Sequence, residues 1–197
     1  TVRLLRNCIG MWLLSECRRI WAEEGQEYDY ATLTQIATEA EPFTSLINPG
    51  DERFFKPDNM PSAIAGFCRE TNQPEPITHG VAVRCVLESL AILYAQRLKE
   101  AQQLTGSPIK RLHIVGGGSR NALLNQFTAN ACSMEVIAGP TEATALGNVL
   151  VQAITLGDLP DLASARQVVG QSMDVKSFQP KDPTSWNVAK TRFKELT

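Results

Sequence analysis

Leu112-His113-Ile114-Val115-Gly116-Gly117-Gly118-Ser119-Arg120-Asn121 decides how this chain is read. A short apolar run stops at three consecutive glycines, and a polar turn then opens into Ala122-Leu123-Leu124-Asn125-Gln126-Phe127. A strand that ends in a glycine hinge and restarts as a helix leaves bare backbone at a helix N-terminus. Unpaired N–H groups and the positive end of the helix dipole there favour a phosphate or another acceptor. Any Cβ would hold a ligand off and forbid the positive φ such a turn uses, so the residue type is set by the geometry. The stretch points to a nucleotide. Its glycines fit neither the P-loop, since no Lys-Ser/Thr follows, nor the dinucleotide fingerprint, whose spacing differs. The competing reading is a tight turn that only packs a helix against a strand.

Outward from that turn the pattern is strand, helix, strand, helix: strands at 110–115 and 134–138, helices at 120–132 and 142–156, the last stopped by Gly157. This order predicts an α/β arrangement with a short parallel strand pair. Upstream, Thr78 caps the longest predicted helix, 79–104, with Val83, Val86, Leu87, Leu90, Leu93, Tyr94, Leu98 and Ala101 as its stripe. Leu5, Cys8, Ile9, Trp12, Leu13, Cys17, Ile20 and Trp21 recur at three-and-four spacing and predict a first helix from Leu5 to Gly25. Asp29 caps a second at 30–39, and Pro61 opens a third that runs to Thr71. The stretch 43–61 is turn chemistry, with Ser45-Leu46-Ile47 as a short extended piece. The tail predicts a helix at 161–169, a strand at 175–178 and a helix at 182–196. Two strong strands are too few for a free-standing parallel sheet, which needs partners along its edges.

The bulk composition narrows the function classes. With 197 residues, 19 basic against 21 acidic side chains and a formal net charge of −2, the chain gives no electrostatic case for nucleic acid or an anionic membrane. No apolar run approaches the roughly 20 residues of a bilayer span. The start, Thr1-Val2-Arg3-Leu4-Leu5-Arg6, has no signal-peptide pattern and no initiator Met, which predicts a cytoplasmic protein met here as a piece of a longer one. Five cysteines (Cys8, Cys17, Cys68, Cys85, Cys132) lack the short paired spacings of a zinc site and predict reduced thiols, most of them in the core. Cys68 and Cys85 flank a Pro-rich loop, which leaves their pairing open.

Few side chains carry chemistry. Asn121 offers a donor and an acceptor toward a ligand, whereas Arg120 reads as solvated. Ala143 and Gly147, four apart, predict a close backbone approach, and Glu142 suits the helix N-terminus on dipole grounds. His79 and His113 read as a helix-start and a strand residue, unpaired with any acid or nucleophile. No carboxylate pair, serine–histidine pattern or metal cluster is present, so no catalytic residue is assigned. A helical interaction module, with 79–104 presenting a partner surface, remains the rival.

The passage 112–147, with Gly116-Gly117-Gly118-Ser119-Arg120-Asn121 and Glu142-Ala143-Thr144-Ala145-Leu146-Gly147, resembles the C-terminal region of the FGGY carbohydrate kinases. Arg3-Leu4-Leu5-Arg6-Asn7-Cys8-Ile9-Gly10-Met11-Trp12-Leu13-Leu14, Leu46-Ile47-Asn48-Pro49 with Arg53-Phe54, and Leu123-Leu124-Asn125-Gln126 narrow the resemblance to members acting on L-rhamnulose. It covers essentially the whole chain, and a member of the family acting on another sugar is the alternative. The resemblance implies a helix-rich, partial ribonuclease-H-like fold of the actin/hexokinase/Hsp70 superfamily, with 1–197 as the C-terminal nucleotide-binding domain. It further implies ATP as its magnesium complex, L-rhamnulose as sugar, and an N-terminal kinase domain as partner. That domain's catalytic aspartate and first phosphate loop, and the early strands of the second domain with the second phosphate loop, have no counterpart in this chain. Gly116, Gly117 and Gly118 would line the nucleotide with Asn121 nearby, and Asn7 matches a sugar-associated position. Ser15 departs from the pattern, standing where relatives typically place a nucleotide-contacting Gln, so that one ATP contact is not carried over to this chain. On this reading the isolated chain is inactive.

Overall fold

Thr78 sets the start of the central element. Its hydroxyl accepts from the Val81 N–H at 3.2 Å and opens helix α4 (His79–Thr105), which Gly106 closes in the left-handed conformation. In the computed structural model, which describes residues 4–196, α4 is buried nearly all round from Ala82 to Leu93. The stripe read from the sequence is therefore one face of a helix enclosed on every side along its first half. Around it pack α1 (Trp12–Glu23), α2 (Tyr30–Glu39), α3 (Met60–Glu70), α5 (Ala122–Cys132) and α8 (Pro183–Phe193), which share one core.

α2 comes against α4 at Gly80. An added Cβ would lie 2.6 Å from the Ile36 carbonyl oxygen of α2, so only glycine lets the two helices touch there. Beside that contact His79 stacks on Trp21 at 4.2 Å between centroids and shares a 3.0 Å hydrogen bond with the Tyr28 hydroxyl. Burial lowers its pKa. His79 thus serves packing at a helix start, as expected, and His113 is an exposed strand residue.

A three-stranded sheet lies beside this helical core: β1 (Leu112–Ile114), β2 (Val136–Ala138) and β3 (Lys176–Phe178), in the order β1-β2-β3. β1 and β2 are the expected parallel pair, joined through α5, with Leu112 opposite Val136 and Ile114 opposite Ala138. β3 adds an antiparallel edge, Phe178 opposite Val136. α6 (Ala143–Leu156) and α7 (Leu162–Ser172) pack on each other, and α6 buries no residue although it carries Val149, Val151 and Leu156. An added Cβ at Gly147 would meet nothing within 4 Å, so the close backbone approach expected there is not made among the described residues.

Two further expectations change. The first helix begins at Trp12 and not at Leu5; residues 4–10 carry no regular structure, and Leu5 is 88% exposed. The apolar period continues through Leu5, Cys8 and Ile9, but Gly10 interrupts it, and packing an apolar face is what makes a helix of this kind stable. Arg3 lies outside the described residues. Ser45-Leu46-Ile47 forms no strand either. Leu46 and Ile47 are fully buried, and their N–H groups donate to Gln73 Oε1 and Ser89 Oγ, so side chains replace the ladder a strand would supply. Cys68 and Cys85, on α3 and α4, do meet. Both are buried free thiols, and a hydrogen bond between them, together with burial, pushes the Cys85 pKa well up. Cys17 is also buried, while Cys8 is exposed.

At the heart of α4, Arg84 Nε donates to Glu88 Oε1 at 2.8 Å. Glu88 Oε2 accepts the Phe43 N–H at 2.9 Å, and the residue is 1% exposed. Burial drives the Glu88 pKa up to about 7, against the opposing pull of Arg84.

Two outcomes follow from this packing. Gly80→Ala forces α2 off α4 and is expected to cost about 1–3 kcal/mol in denaturant unfolding, the usual scale of overpacking. Because the folded pKa of Glu88 lies above the unfolded value, the folded state holds its proton more tightly, and stability declines as pH rises from about 4.5 through about 7. Chemical denaturation at pH 5 and pH 8 is expected to show the unsubstituted chain losing on the order of 2–3 kcal/mol relative to Glu88→Gln. Parallel pH profiles would mean Glu88 does not titrate there.

Candidate functional site

β1 delivers the chain to the glycine turn, and the sheet holds it there. Gly139 N donates to Ile114 O at 2.8 Å and Gly116 N donates to Pro140 O at 3.1 Å, fastening the two strand exits to each other. Gly116 takes φ +78, a conformation L side chains rarely adopt, and turns the chain into the 3-10 turn Gly117–Arg120. Ser119 closes this turn twice on one oxygen: its N–H and its hydroxyl donate to Gly116 O at 3.0 and 2.7 Å. Asn121 then caps α5, its Oδ1 accepting from Leu124 N at 2.9 Å.

The outer face of the turn is open. Ideal Cβ atoms on Gly117 and Gly118 would meet nothing within 4 Å. That face forms one wall of a 780 Å³ cleft, together with Arg120, Asn121 and Ala122. The opposite wall is α2, through Tyr30, Ala31, Thr34, Gln35 and Thr38, with Met11 at the head of α1. Its polar atoms are largely engaged along the helix itself. Thr34 Oγ1 donates to Tyr30 O at 2.7 Å, Thr38 Oγ1 to Thr34 O at 2.8 Å, and Gln35 Nε2 to Glu39 Oε1 at 2.6 Å. A peptide ribbon faces an uncharged, partly aromatic helix across a gap of ligand size. The cleft can hold a flat ring system on α2 and offer backbone N–H groups to a polar or anionic substituent. It can do little covalent chemistry, because no carboxylate, imidazole, thiol or amine side chain lines its walls.

Of the residues expected at a site, the structure brings Gly117, Gly118 and Asn121 to one cleft. Gly116 shapes the turn from behind. Asn121 spends its side-chain oxygen on the helix cap, which leaves its Nδ2 as the group to offer a ligand. Asn7 stays apart, exposed in the irregular stretch before α1 and not in the cleft wall. Ser15 lines a different hollow with Arg18 and Asp29. Arg120 is solvated as expected and stands 4.0 Å from Glu142. Sequence reasoning missed the α2 wall. The available signal was Tyr30, Thr34 and Thr38 at i, i+4 with Ala31 and Gln35 between them, a surface helix face without a single charge.

Comparison with known proteins gives the family and the fold. Residues 1–156 match the model of the FGGY family of carbohydrate kinases, C-terminal domain. The chain is 48% identical over 194 residues to the rhamnulokinase of Bacteroides thetaiotaomicron, covering 98% of this chain and 39% of that protein. It is 43% identical to the rhamnulokinase of Bacillus subtilis, covering 92% of this chain and 37% of that one. Among solved structures it resembles the xylulose kinase of Rhodospirillum rubrum (TM-score 0.64, 20% identity, 93% of this chain and 36% of that one). A glycerol kinase of Plasmodium falciparum, solved with ADP, gives a TM-score of 0.65 at 15% identity, covering 90% of this chain and 35% of that one. These neighbours bear out the helix-rich ribonuclease-H-like fold with a parallel strand pair, and β3 is the strand expected at 175–178. The chain spans well under half the length of the curated relatives it matches, and it belongs to the FGGY family of carbohydrate kinases.

Proposed function

We propose that this chain is the nucleotide-holding portion of an ATP-dependent sugar kinase, and that the sugar is L-rhamnulose. The carrying observation is the uncovered Gly117–Gly118 ribbon facing the uncharged wall of α2. The glycerol kinase of similar fold that was solved with ADP supports a nucleotide in this family's architecture. The two rhamnulokinases at 48% and 43% identity support the choice of sugar.

Transfer of a γ-phosphoryl group needs a positioned donor, neutralised phosphate charge and a base at the acceptor hydroxyl. This chain supplies the first. Gly116 sets the shape of the turn, Gly117 and Gly118 give the backbone surface on which the nucleotide lies, and Asn121 Nδ2 adds a directional donor. Tyr30 and Ala31 cover the opposite side and keep water from it. ATP fits a cradle that a Cβ would fill. Magnesium finds no seat of its own here: among the described residues no group of three or more His, Cys, Asp or Glu is placed to hold a metal. In this reading the ion arrives with the phosphates, and the base, the phosphate loops and the early strands of this domain belong to the N-terminal kinase domain and its junction, upstream of Thr1. Asn7 faces the sugar from the stretch that leads into α1.

Three measurements test the reading. Saturating ADP, at about 100 times its dissociation constant, is expected to stabilise the 197-residue chain by roughly 2.7 kcal/mol in a thermal-shift titration; a flat response favours the helical interaction module. The same chain, freed of host kinases, is expected to give no ATP-dependent phosphorylation of L-rhamnulose, and turnover would refute the division of labour. In the complete kinase Gly117→Val is expected to raise the KM for ATP at least tenfold, about 1.4 kcal/mol of binding. Within this chain a Cβ added at Gly117 would meet nothing within 4 Å beyond its chain neighbours, so the loss is expected in ATP binding and not in folding.

A further inference from the structure

Asn125, in the Leu123-Leu124-Asn125-Gln126 run, sits on the first turns of α5 directly behind the glycine turn and is 0% exposed. Its Nδ2 donates to the Ser119 carbonyl at 2.8 Å. Its Oδ1 is the one buried side-chain N or O atom among the described residues that has no hydrogen-bond partner. An unpaired buried acceptor destabilises a fold, and an aliphatic side chain of the same volume would avoid it. The core therefore has no use for an amide at this position. The turn does. Ser119 closes the 3-10 turn onto Gly116 through its N–H and hydroxyl, and Asn125 secures the same residue by its remaining main-chain atom. Serine or threonine at 125 would fall short of that carbonyl, and a carboxylate has no proton to give it. An amide reaches, and the idle Oδ1 comes with it.

Resting on the nucleotide reading above, we infer that Asn125 is a positioning residue for the nucleotide: it fixes the 116–120 ribbon in its receiving shape, at a net expense in stability. It touches no ligand. It acts through Ser119, whose carbonyl it anchors to the body of α5, so that Gly117 and Gly118 keep their open face toward the cleft.

The test measures ADP binding by isothermal titration and thermal melting on the 197-residue chain. Asn125→Leu removes donor and orphan together, and Ser119, only half-buried, can pass its carbonyl to water. Its Tm is expected to equal or exceed that of the unsubstituted chain while its ADP affinity falls at least fivefold. Affinity within twofold overturns the inference, whatever the Tm. Asn125→Asp decides the matter if the leucine variant does not fold. Its ionised carboxylate repels the Ser119 carbonyl, whereas its protonated form donates to it. The ratio of variant to unsubstituted ADP dissociation constants is therefore expected to rise at least fivefold from pH 5.5 to pH 9, and a flat ratio overturns the inference. Absence of ADP binding by the unsubstituted chain would sink the nucleotide reading and this inference with it; binding that both variants leave intact sinks this inference alone.

Discussion

Arg84 and Glu88 hold the two walls of the cleft at their distance from each other. From the middle of α4 the guanidinium donates to Glu88 Oε1 at 2.8 Å and to the carbonyls of Ala37 and Ala40 at 3.1 and 2.9 Å, at the C-terminal end of α2. A cation there also answers the negative end of that helix dipole. The same group lies 5.3 Å over the Phe127 ring of α5. Glu88 in turn takes the Phe43 N–H, while Arg192 of α8 donates to the Phe43 carbonyl at 2.7 Å. One buried ion pair thus ties α2, α5, α8 and the loop after α2 to a single turn of α4. Breaking such a pair from one side leaves an uncompensated buried charge, of order 3–5 kcal/mol. The pair is a poor source of net stability and a strong source of geometry.

The geometry matters because the cleft walls are otherwise independent. α2 faces the gap with Tyr30, Ala31 and Thr34, and nothing along that face grips the glycine turn opposite. The turn answers to the sheet through the Gly116–Pro140 and Gly139–Ile114 hydrogen bonds, and to α5 through Asn121 and Asn125. α4 is the element to which both sides refer, α2 through the close contact at Gly80 and the Arg84 bonds, α5 along its packed face. Gly80 and Arg84 are one helical turn apart. The spacing of the walls is therefore set within a few residues, far from any atom a ligand would touch.

How far the sequence disclosed this depends on the range of the interactions involved. Asp29 and Thr78 cap their helices as read, because a cap is decided by residues two or three apart. The glycine turn was legible for the same reason, and so were the parallel strands it joins. Leu5, Cys8 and Ile9 misled, since they continue the period of α1, yet Leu5 and Cys8 stay exposed and Ile9 packs on the core from an irregular segment. Ile47 misled in the opposite sense: it is buried as an irregular segment because Ser89, forty-two residues away, supplies the acceptor a strand partner would have given. The α2 wall went unread because uncharged surface has meaning only once something faces it. Arg84 and Glu88 look like any i, i+4 surface pair until α4 is known to be enclosed.

The nature of the walls also explains why a cleft so well placed contains no reactive group. Backbone N–H groups, threonines bonded along their own helix and an aromatic face offer shape and hydrogen bonds, not reactive side chains. Among the described residues the one carboxyl whose titration is moved toward neutrality, Glu88, is sealed behind α2 and turned to structural use. On the nucleotide reading proposed above, a surface of this kind can be shared among kinases of different sugars, since it would read the donor and not the acceptor. Its demand on sequence falls on shape: glycine where the ribbon must be bare, and an amide at Asn125 where the ribbon must not move.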